Sequence, residues 1–454
     1  MRIDLQNKKV TIIGAKKSGV AAASLLLSLN AIPFVSEIES GEKVEEFVNE
    51  LKSLNVAYEI GGHTDRVYEA DLFVISPGVP SNAPVIVEAK KRSIKVVSEI
   101  EFASWYCNSP IVAITGTNGK TTTTALLGAM FTDAGKENFV CGNIGNPFST
   151  IVTKTNPNSI VILEVSSYQL DFCDTFHPQI SIVTNITPDH LERYDNKMEN
   201  YAASKARISM NQTSTDYLIY NADDSWTTSI ASHSKAKTYG FSSSKILNEG
   251  AFLENNFLTT NVRAKKSHVI DRKEILIPGM HNVENAMAAT LAAQLFGIES
   301  NSIQHTLKTF KGVEHRIEFV RELDSVKYYN DSKATNVDAM IPALKAFELN
   351  GEQKIVLLLG GEDHGNDYSF VESLVKNNVR SVVAIGESAW KVFQYFKNIV
   401  ETEIATSMPE AILNAKRKAQ HGDIILLSPA CKSFDWYKNF EERGKNFKHI
   451  VNSL

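Results

Sequence analysis

Short apolar runs alternate with amphipathic stretches through the first hundred residues. Runs rich in Val, Ile and Phe at 9–14, 32–37 and 71–76 read as strands, and 20–29, 41–54 and 82–92 as helices or helical turns. Apolar strands separated by helices are the pattern of an open parallel sheet with helices packed on it. The pattern restarts at Pro110, with a strand at 111–115, a glycine loop at 116–122 and a helix at 123–134. Apolar strands follow at 159–163 and 180–185, then short strands and turns over 215–280. An Ala-rich helix at 282–296 and a second at 303–309 close that block. A third block opens near Val313, with strands at 327–330, 354–359, 382–385 and 423–427. Helices at 337–346, 369–376, 388–397 and 408–419 separate them.

Length agrees with three blocks: 454 residues at about 150 per domain give three. With 43% hydrophobic and 22% charged residues the chain is globular in type, and a net charge of −5 argues against nonspecific nucleic-acid binding. Four scattered cysteines, none at CxxC spacing, argue against a disulfide framework or structural zinc and for reduced thiols in the cytoplasm. The Lys16-Lys17 pair before an apolar stretch resembles a leader, but the strand at 10–14 precedes it, so a strand–turn–helix unit is expected. No run of eighteen apolar residues exists, so no membrane span is expected.

The strongest chemical signal is the stretch 114–122, Ile-Thr-Gly-Thr-Asn-Gly-Lys-Thr-Thr. A glycine loop between a strand and a helix lets backbone amides turn toward phosphate oxygens, with the helix N-terminus adding positive charge. Gly116, Thr117, Asn118, Gly119, Lys120, Thr121 and Thr122 are therefore candidate ATP contacts, Lys120 supplying a full charge and Thr121 a hydroxyl for Mg²⁺. The form is a short G-x-x-G-K-T, without the earlier glycine of the longer loop. A metal there needs carboxylates at neighbouring strand ends, and Glu164, Asp189 and His190 stand at such places.

These stretches, with Gly142-Asn143-Ile144-Gly145, Glu164 to Leu170, Asp189-His190-Leu-Glu-Arg-Tyr194 and Pro278-Gly-Met-His-Asn282, resemble the ATP-dependent Mur ligases in order along nearly the whole chain. The resemblance implies an α/β fold of three domains: an N-terminal Rossmann-like open sheet (1–107) for the UDP-linked substrate, a central P-loop ATPase-type domain (108–312), and a C-terminal Rossmann-like domain (313–454). Folylpolyglutamate synthetases share the P-loop form and central fold. His315-Arg316-Ile-Glu318, Asn330-Asp-Ser-Lys-Ala-Thr-Asn336, Leu357 to Gly361 and Leu427-Ser-Pro-Ala-Cys431 resemble the members that add D-glutamate.

The resemblance also implies roles. The carboxylate of a UDP-linked muramoyl-alanine attacks the ATP γ-phosphate, and the amine of D-glutamate then attacks the acyl phosphate. Lys120, Glu164, His190, Lys205 and Lys333 are the expected catalytic set. Two Mg²⁺ sites are implied, with Thr121, Glu164, His190 and a carbamylated Lys205 as ligands. Asn282, Arg316 and Asp331 would face the nucleotide. Ser18, Glu37, Ser76, Pro77, Gly78 and Asn143 would meet the UDP-linked substrate, with Glu37 standing where the family more often has Asp. Thr335, Lys333, Ser433 and Phe440 would lie near D-glutamate. His364 falls where the family usually has a lysine, and Lys432 where it usually has Ala, so Lys432 is expected to replace the missing charge beside His364. The expected partners are these small molecules alone, with no nucleic acid, and the expected state is a cytoplasmic monomer.

Three other readings stay open at this point. A dinucleotide oxidoreductase is suggested by 10–19, although Gly14-x-x-x-x-Gly19 lacks the middle glycine of that fingerprint. A P-loop protein without turnover and an amide ligase of the same group using another amino acid are the others.

Overall fold

The computed structural model describes residues 3–347, 349–363 and 365–454. Three sheets carry the chain. The first contains β1 (Lys9–Ile13), β2 (Ile32–Glu37), β3 (Ala57–Ile60), β4 (Leu72–Ile75) and β5 (Lys95–Ser98) in the order β3-β2-β1-β4-β5, all parallel. The second contains β6 (Ile111–Thr115), β7 (Asn138–Gly142), β8 (Ile160–Glu164), β9 (Ile180–Val183), β10 (Tyr217–Asn221), β11 (Lys237–Ser242), β12 (Gly250–Glu254), β13 (Phe257–Val262) and β14 (Lys265–Asp271). Its order is β14-β13-β12-β11-β10-β9-β6-β8-β7, parallel from β7 to β12 and antiparallel between β12 and β13. The third runs β15-β16-β20-β17-β18-β19, from β15 (Glu318–Leu323), β16 (Val326–Asn330), β17 (Ile355–Gly360), β18 (Val379–Ile385), β19 (Glu401–Ile404) and β20 (Ile424–Leu427). Only β15, on the edge, is antiparallel there.

The apolar runs are the central strands. β4, β6, β8, β9, β17 and β20 are buried at every position, as expected for parallel strands covered on both faces. The strands that the apolar pattern did not mark, β3, β5, β7, β15 and β19, lie at or near sheet edges and are only partly buried. Helix Phe440–Ser453 was also unmarked, because its buried side carries Arg443 and Gly444 beside Phe447 and Val451. The helix after β6 begins at Lys120 rather than 123: Gly119 takes a left-handed conformation (φ 85°) and opens the helix three residues early.

The chain forms two compact units. One runs to Ile270 and includes Glu284–Thr306; the other joins Asp271–Val283 to Leu307–Leu454. Within the first unit, helix Glu99–Ser104 fastens the first sheet to the second through two buried carboxylates. Glu99 accepts the Ser149 amide at 2.6 Å, and Glu101 accepts the Thr175 and Phe176 amides at 2.8 Å each and the Trp105 indole N–H at 3.0 Å. Among the described residues, no helix is long and apolar enough to cross a membrane.

Candidate active site

In the first unit the glycine loop leaves β6 and is held from the next strand over. The Thr117 amide donates to the Asn185 carbonyl at 2.9 Å, the Asn118 amide to the Asn185 side chain at 2.9 Å, and the Thr117 hydroxyl to the Thr187 carbonyl at 3.1 Å. Gly116 has φ 146°, and a Cβ there would stand 1.9 Å from the Thr184 hydroxyl. At Gly119 a Cβ would stand 2.3 Å from the Asn285 side-chain oxygen, which also accepts from Thr123 at 3.2 Å. Neither glycine can be replaced without moving this packing.

Two lysines meet on one carbonyl. Lys120 Nζ donates to the Gly116 and Thr117 carbonyls at 3.0 and 2.9 Å, and Lys205 Nζ, from helix Met198–Ala206, donates to the Gly116 carbonyl at 2.8 Å. Lys205 is only 2% exposed and lies 4.5 Å from the Tyr201 ring centroid. Burial, reinforced by the neighbouring Lys120 charge, brings its pKa down to about 7. A free amine, the form that adds carbon dioxide, is therefore well populated near neutral pH.

Glu164 ends β8 directly beside β6, in register with Ile114, and is buried. Its Oε1 accepts from the Asn143 side chain at 3.0 Å, whereas its Oε2 is buried with no hydrogen-bond partner. An orphaned carboxylate oxygen beside a phosphate loop fits a hard cation that takes its remaining ligands from phosphate and water. Among the described residues no group of three His, Cys, Asp or Glu side chains is placed to hold a metal unaided. Thr121, in the first turn of the P-loop helix, offers a hydroxyl. His190 stands apart from Glu164 in its bonding: it is exposed, left-handed (φ 50°), and 3.8 and 3.7 Å from the Asp189 and Glu192 carboxylates.

Arg193, in the same loop, lies 3.7 Å over the Tyr168 ring and donates to the Val79 carbonyl at 2.6 Å, tying this loop to the one after β4. Arg193 and Tyr168 lie inside recognisable motifs, but their meeting depends on the fold and no motif marks it. Asn185 and Asn285 were missed for the same reason.

The residues assigned to the UDP-linked substrate gather at the carboxyl ends of β1, β2 and β4. Ser18 is half-buried in helix Lys17–Ser28, and Ser76 donates to the Gly14 carbonyl at 3.3 Å, with Pro77 half-buried and Gly78 exposed after it. Glu37 is buried, and its two oxygens accept the Ala15 and Glu39 amides at 2.8 and 3.0 Å. Asn143 is bonded to Glu164, on the P-loop side of the unit.

In the second unit Asp331 follows β16 and is buried, accepting the Ile317 amide at 3.2 Å and the Ser428 hydroxyl at 2.7 Å. Burial pushes its carboxyl up to about 7, against the pull of those two bonds. Arg316 is exposed. Arg443 is buried beneath the same strand ends and donates to the Ser332 hydroxyl at 2.9 Å and to the Ser332, Cys431 and Lys432 carbonyls at 2.8, 3.0 and 3.2 Å. It clamps the loop after β16 to the loop after β20, a role that no motif marks. Lys333 lies 5.8 Å over the Phe440 ring, Ser433 is buried, and Thr335 is half-buried. Lys432 is exposed, its carbonyl accepting the Glu362 amide at 3.0 Å, and His364 lies outside the described residues. Asn282 is buried and donates to the Pro278 carbonyl at 2.6 Å.

Three family profiles match the chain: the MurD N-terminal domain over residues 9–85, the Mur ligase middle domain over 114–293, and the Mur ligase glutamate ligase domain over 315–431. The UDP-N-acetylmuramoylalanine–D-glutamate ligase of Chloroherpeton thalassium is 43% identical over 468 residues, covering 99% of each chain, and that of Salinibacter ruber is 42% identical with 99% of each covered. The crystal structure of the UDP-N-acetylmuramate–alanine ligase of Thermotoga maritima shares the fold at TM-score 0.57 and 20% identity, over 98% of this chain and 99% of that one. With a P-loop braced by two lysines and matches spanning its whole length, the chain belongs to the Mur ligase family, among the UDP-N-acetylmuramoylalanine–D-glutamate ligases.

Proposed function

We infer that this chain is an ATP-dependent ligase that joins D-glutamate to UDP-N-acetylmuramoyl-L-alanine in peptidoglycan precursor synthesis, through an acyl phosphate and with release of ADP and phosphate. The observation that carries the reading is the convergence of Lys120 and Lys205 on the Gly116 carbonyl beneath a glycine loop whose neighbouring carboxylate, Glu164, keeps one oxygen unpartnered. Phosphoryl transfer asks for positioning and charge neutralisation rather than covalent help. Lys120 and the loop amides orient and neutralise the phosphates. Thr121 and Glu164 would hold Mg²⁺, with His190 and carbamylated Lys205 at a second site; bound Mg²⁺ supplies charge neutralisation on the phosphate oxygens.

The domain roles follow the three blocks. The first (1–107) takes the uridine nucleotide through Ser18, Glu37 and Ser76 to Gly78, with Asn143 on the sugar side. The central block (108–312) takes ATP. The last (313–454) adds Arg316 and Asp331 to the nucleotide and Lys333, Thr335, Lys432, Ser433 and Phe440 to D-glutamate, with Asn282 near the base. The protein works as a cytoplasmic monomer, a setting consistent with four unpaired cysteines.

Phosphate release from ATP, measured with the muramoyl-alanine nucleotide against a panel of D- and L-amino acids, tests this. Release with D-glutamate alone is expected. Release with a different amino acid would move the chain to another ligase specificity, and no release with any would make it a binding protein.

A further inference from the structure

Ser36 and Glu59 face each other in register on β2 and β3, and a third polar group, His63, closes on them from the loop after β3. The buried Ser36 hydroxyl donates to Glu59 Oε1 at 2.7 Å and lies 2.6 Å from His63 Nδ1. Glu59 also accepts the Thr64 hydroxyl at 2.6 Å and the Thr64 amide at 3.1 Å. Burial alone would raise its pKa, but the bonds from Thr64 and Ser36 hold it below the ordinary value, so it is an ionised, acceptor-only carboxylate.

A hydroxyl has one proton, and that of Ser36 is directed at Glu59. The short contact with His63 therefore requires the ring to donate from Nδ1. A neutral imidazole protonated on Nδ1 has a bare acceptor at Nε2. Burial lowers the His63 pKa, against the opposing charges of Glu59 and Glu37, which keeps the ring neutral. Nε2 has no hydrogen-bond partner among the described residues and is not sealed from solvent.

The position suits a base. In open parallel sheets of this kind a nucleotide sets its phosphates at the helix after β1 and runs its nucleoside outward past the end of β2. There the Glu37 carboxylate is occupied by the Ala15 and Glu39 amides, and the Gly61 and Gly62 amides bind the Glu37 carbonyl at 2.9 and 3.3 Å, which brings the His63 loop against the end of β2. We propose that His63 reads the base of the uridine nucleotide: Nε2 accepts the N3–H of uracil and disfavours cytosine, whose N3 is itself an acceptor, while Ser36 and Glu59 fix the tautomer. This rests on the UDP-linked substrate assigned above.

The test compares kcat/KM for the uridine substrate and its cytidine counterpart. A site that must hydrogen-bond a ligand group rejects analogues lacking it strongly when buried; for this half-buried ring about 10²-fold in favour of uridine is expected. His63→Ala should reduce the ratio to about tenfold, through a KM for the uridine substrate raised about tenfold. His63→Gln, which restores an acceptor, should recover part of the ratio and carries the test if the alanine variant fails to fold. Ser36→Ala keeps the ring but frees its tautomer, and should lower the ratio by improving the cytidine substrate. An unchanged ratio in His63→Ala, or an equal loss for both substrates, overturns the proposal and leaves the ligase reading standing. A wild-type protein inactive with the uridine substrate and D-glutamate sinks both.

Discussion

Lys205 and Asp331 are both buried ionisable side chains, one in each compact unit, and burial brings each to a pKa of about 7 from opposite sides. Their surroundings differ. Lys205 shares the Gly116 carbonyl with a second cation, Lys120, so its neighbourhood already favours the uncharged amine. Asp331 sits among donors, from Ile317 and Ser428, that favour its charged form, yet full burial outweighs them. In both cases burial favours the neutral form: the free amine for the lysine and the protonated carboxyl for the aspartate. On the roles proposed above, the same desolvation would favour covalent modification in one unit and ligand binding in the other.

The sharpest way to break this comparison lies on the Lys120 side. Lys120→Ala should lower kcat on the order of 10²-fold or more, the scale for one preorganised charge stabiliser, while calorimetry shows binding of the uridine substrate retained. Normal turnover would remove the P-loop from the reaction. Lys205→Ala should fall about 10²-fold and recover in part with added acetate or formate, which supplies the missing oxygen ligand. Full activity without rescue would reduce Lys205 to a buried structural cation.

Asp331→Asn should act more gently, raising KM for ATP about tenfold with a smaller change in kcat, the range for one lost charge-assisted hydrogen bond. An effect confined to kcat would place Asp331 in the phosphoryl-transfer step instead.

The last expected effect is in stability against pH, read from urea unfolding. The folded pKa of Asp331 lies above its ordinary value of 3.8, so the folded state binds the extra proton and stability falls as pH rises from about 4 to about 7. With its amine unmodified, Lys205 has a folded pKa below 10.5, so the unfolded state binds the extra proton and stability rises from about pH 7 to about 10.5. Asp331→Asn should flatten the first limb only and Lys205→Met the second only. A variant that flattens neither limb would show that its group does not carry the burial cost.

The two regions also differ in how far the sequence reveals them. The P-loop is contiguous, and its strand, glycines and helix follow from local rules, so its residues were legible directly. Even there the helix began at Lys120, because Gly119 takes a left-handed turn, with the Asn285 side chain packed where a Cβ would stand. The cluster around Asp331 draws on Ile317, Ser428 and Arg443, the last bonded to Ser332 across 111 residues of chain. Motif resemblance pointed to Asp331 but not to the arginine clamp. Glu37 was legible as a strand-end acid, whereas its bonds to Ala15 and Glu39 were not.

What the sequence determined by itself was the α/β alternation, the buried central strands, the phosphate loop and the family resemblance, all of which depend on residues close together in the chain. Edge strands such as Ala57–Ile60 and Glu401–Ile404 escaped because, half-exposed, they need no continuous apolar run. Tertiary structure alone decided which groups surround each buried polar atom: the two lysines on one carbonyl, the unpartnered Glu164 oxygen, the four bonds of Arg443 and the contact of His63 with Ser36. The physical reason is that desolvation and hydrogen-bond geometry belong to the space around a group, and that space is filled by residues remote in sequence.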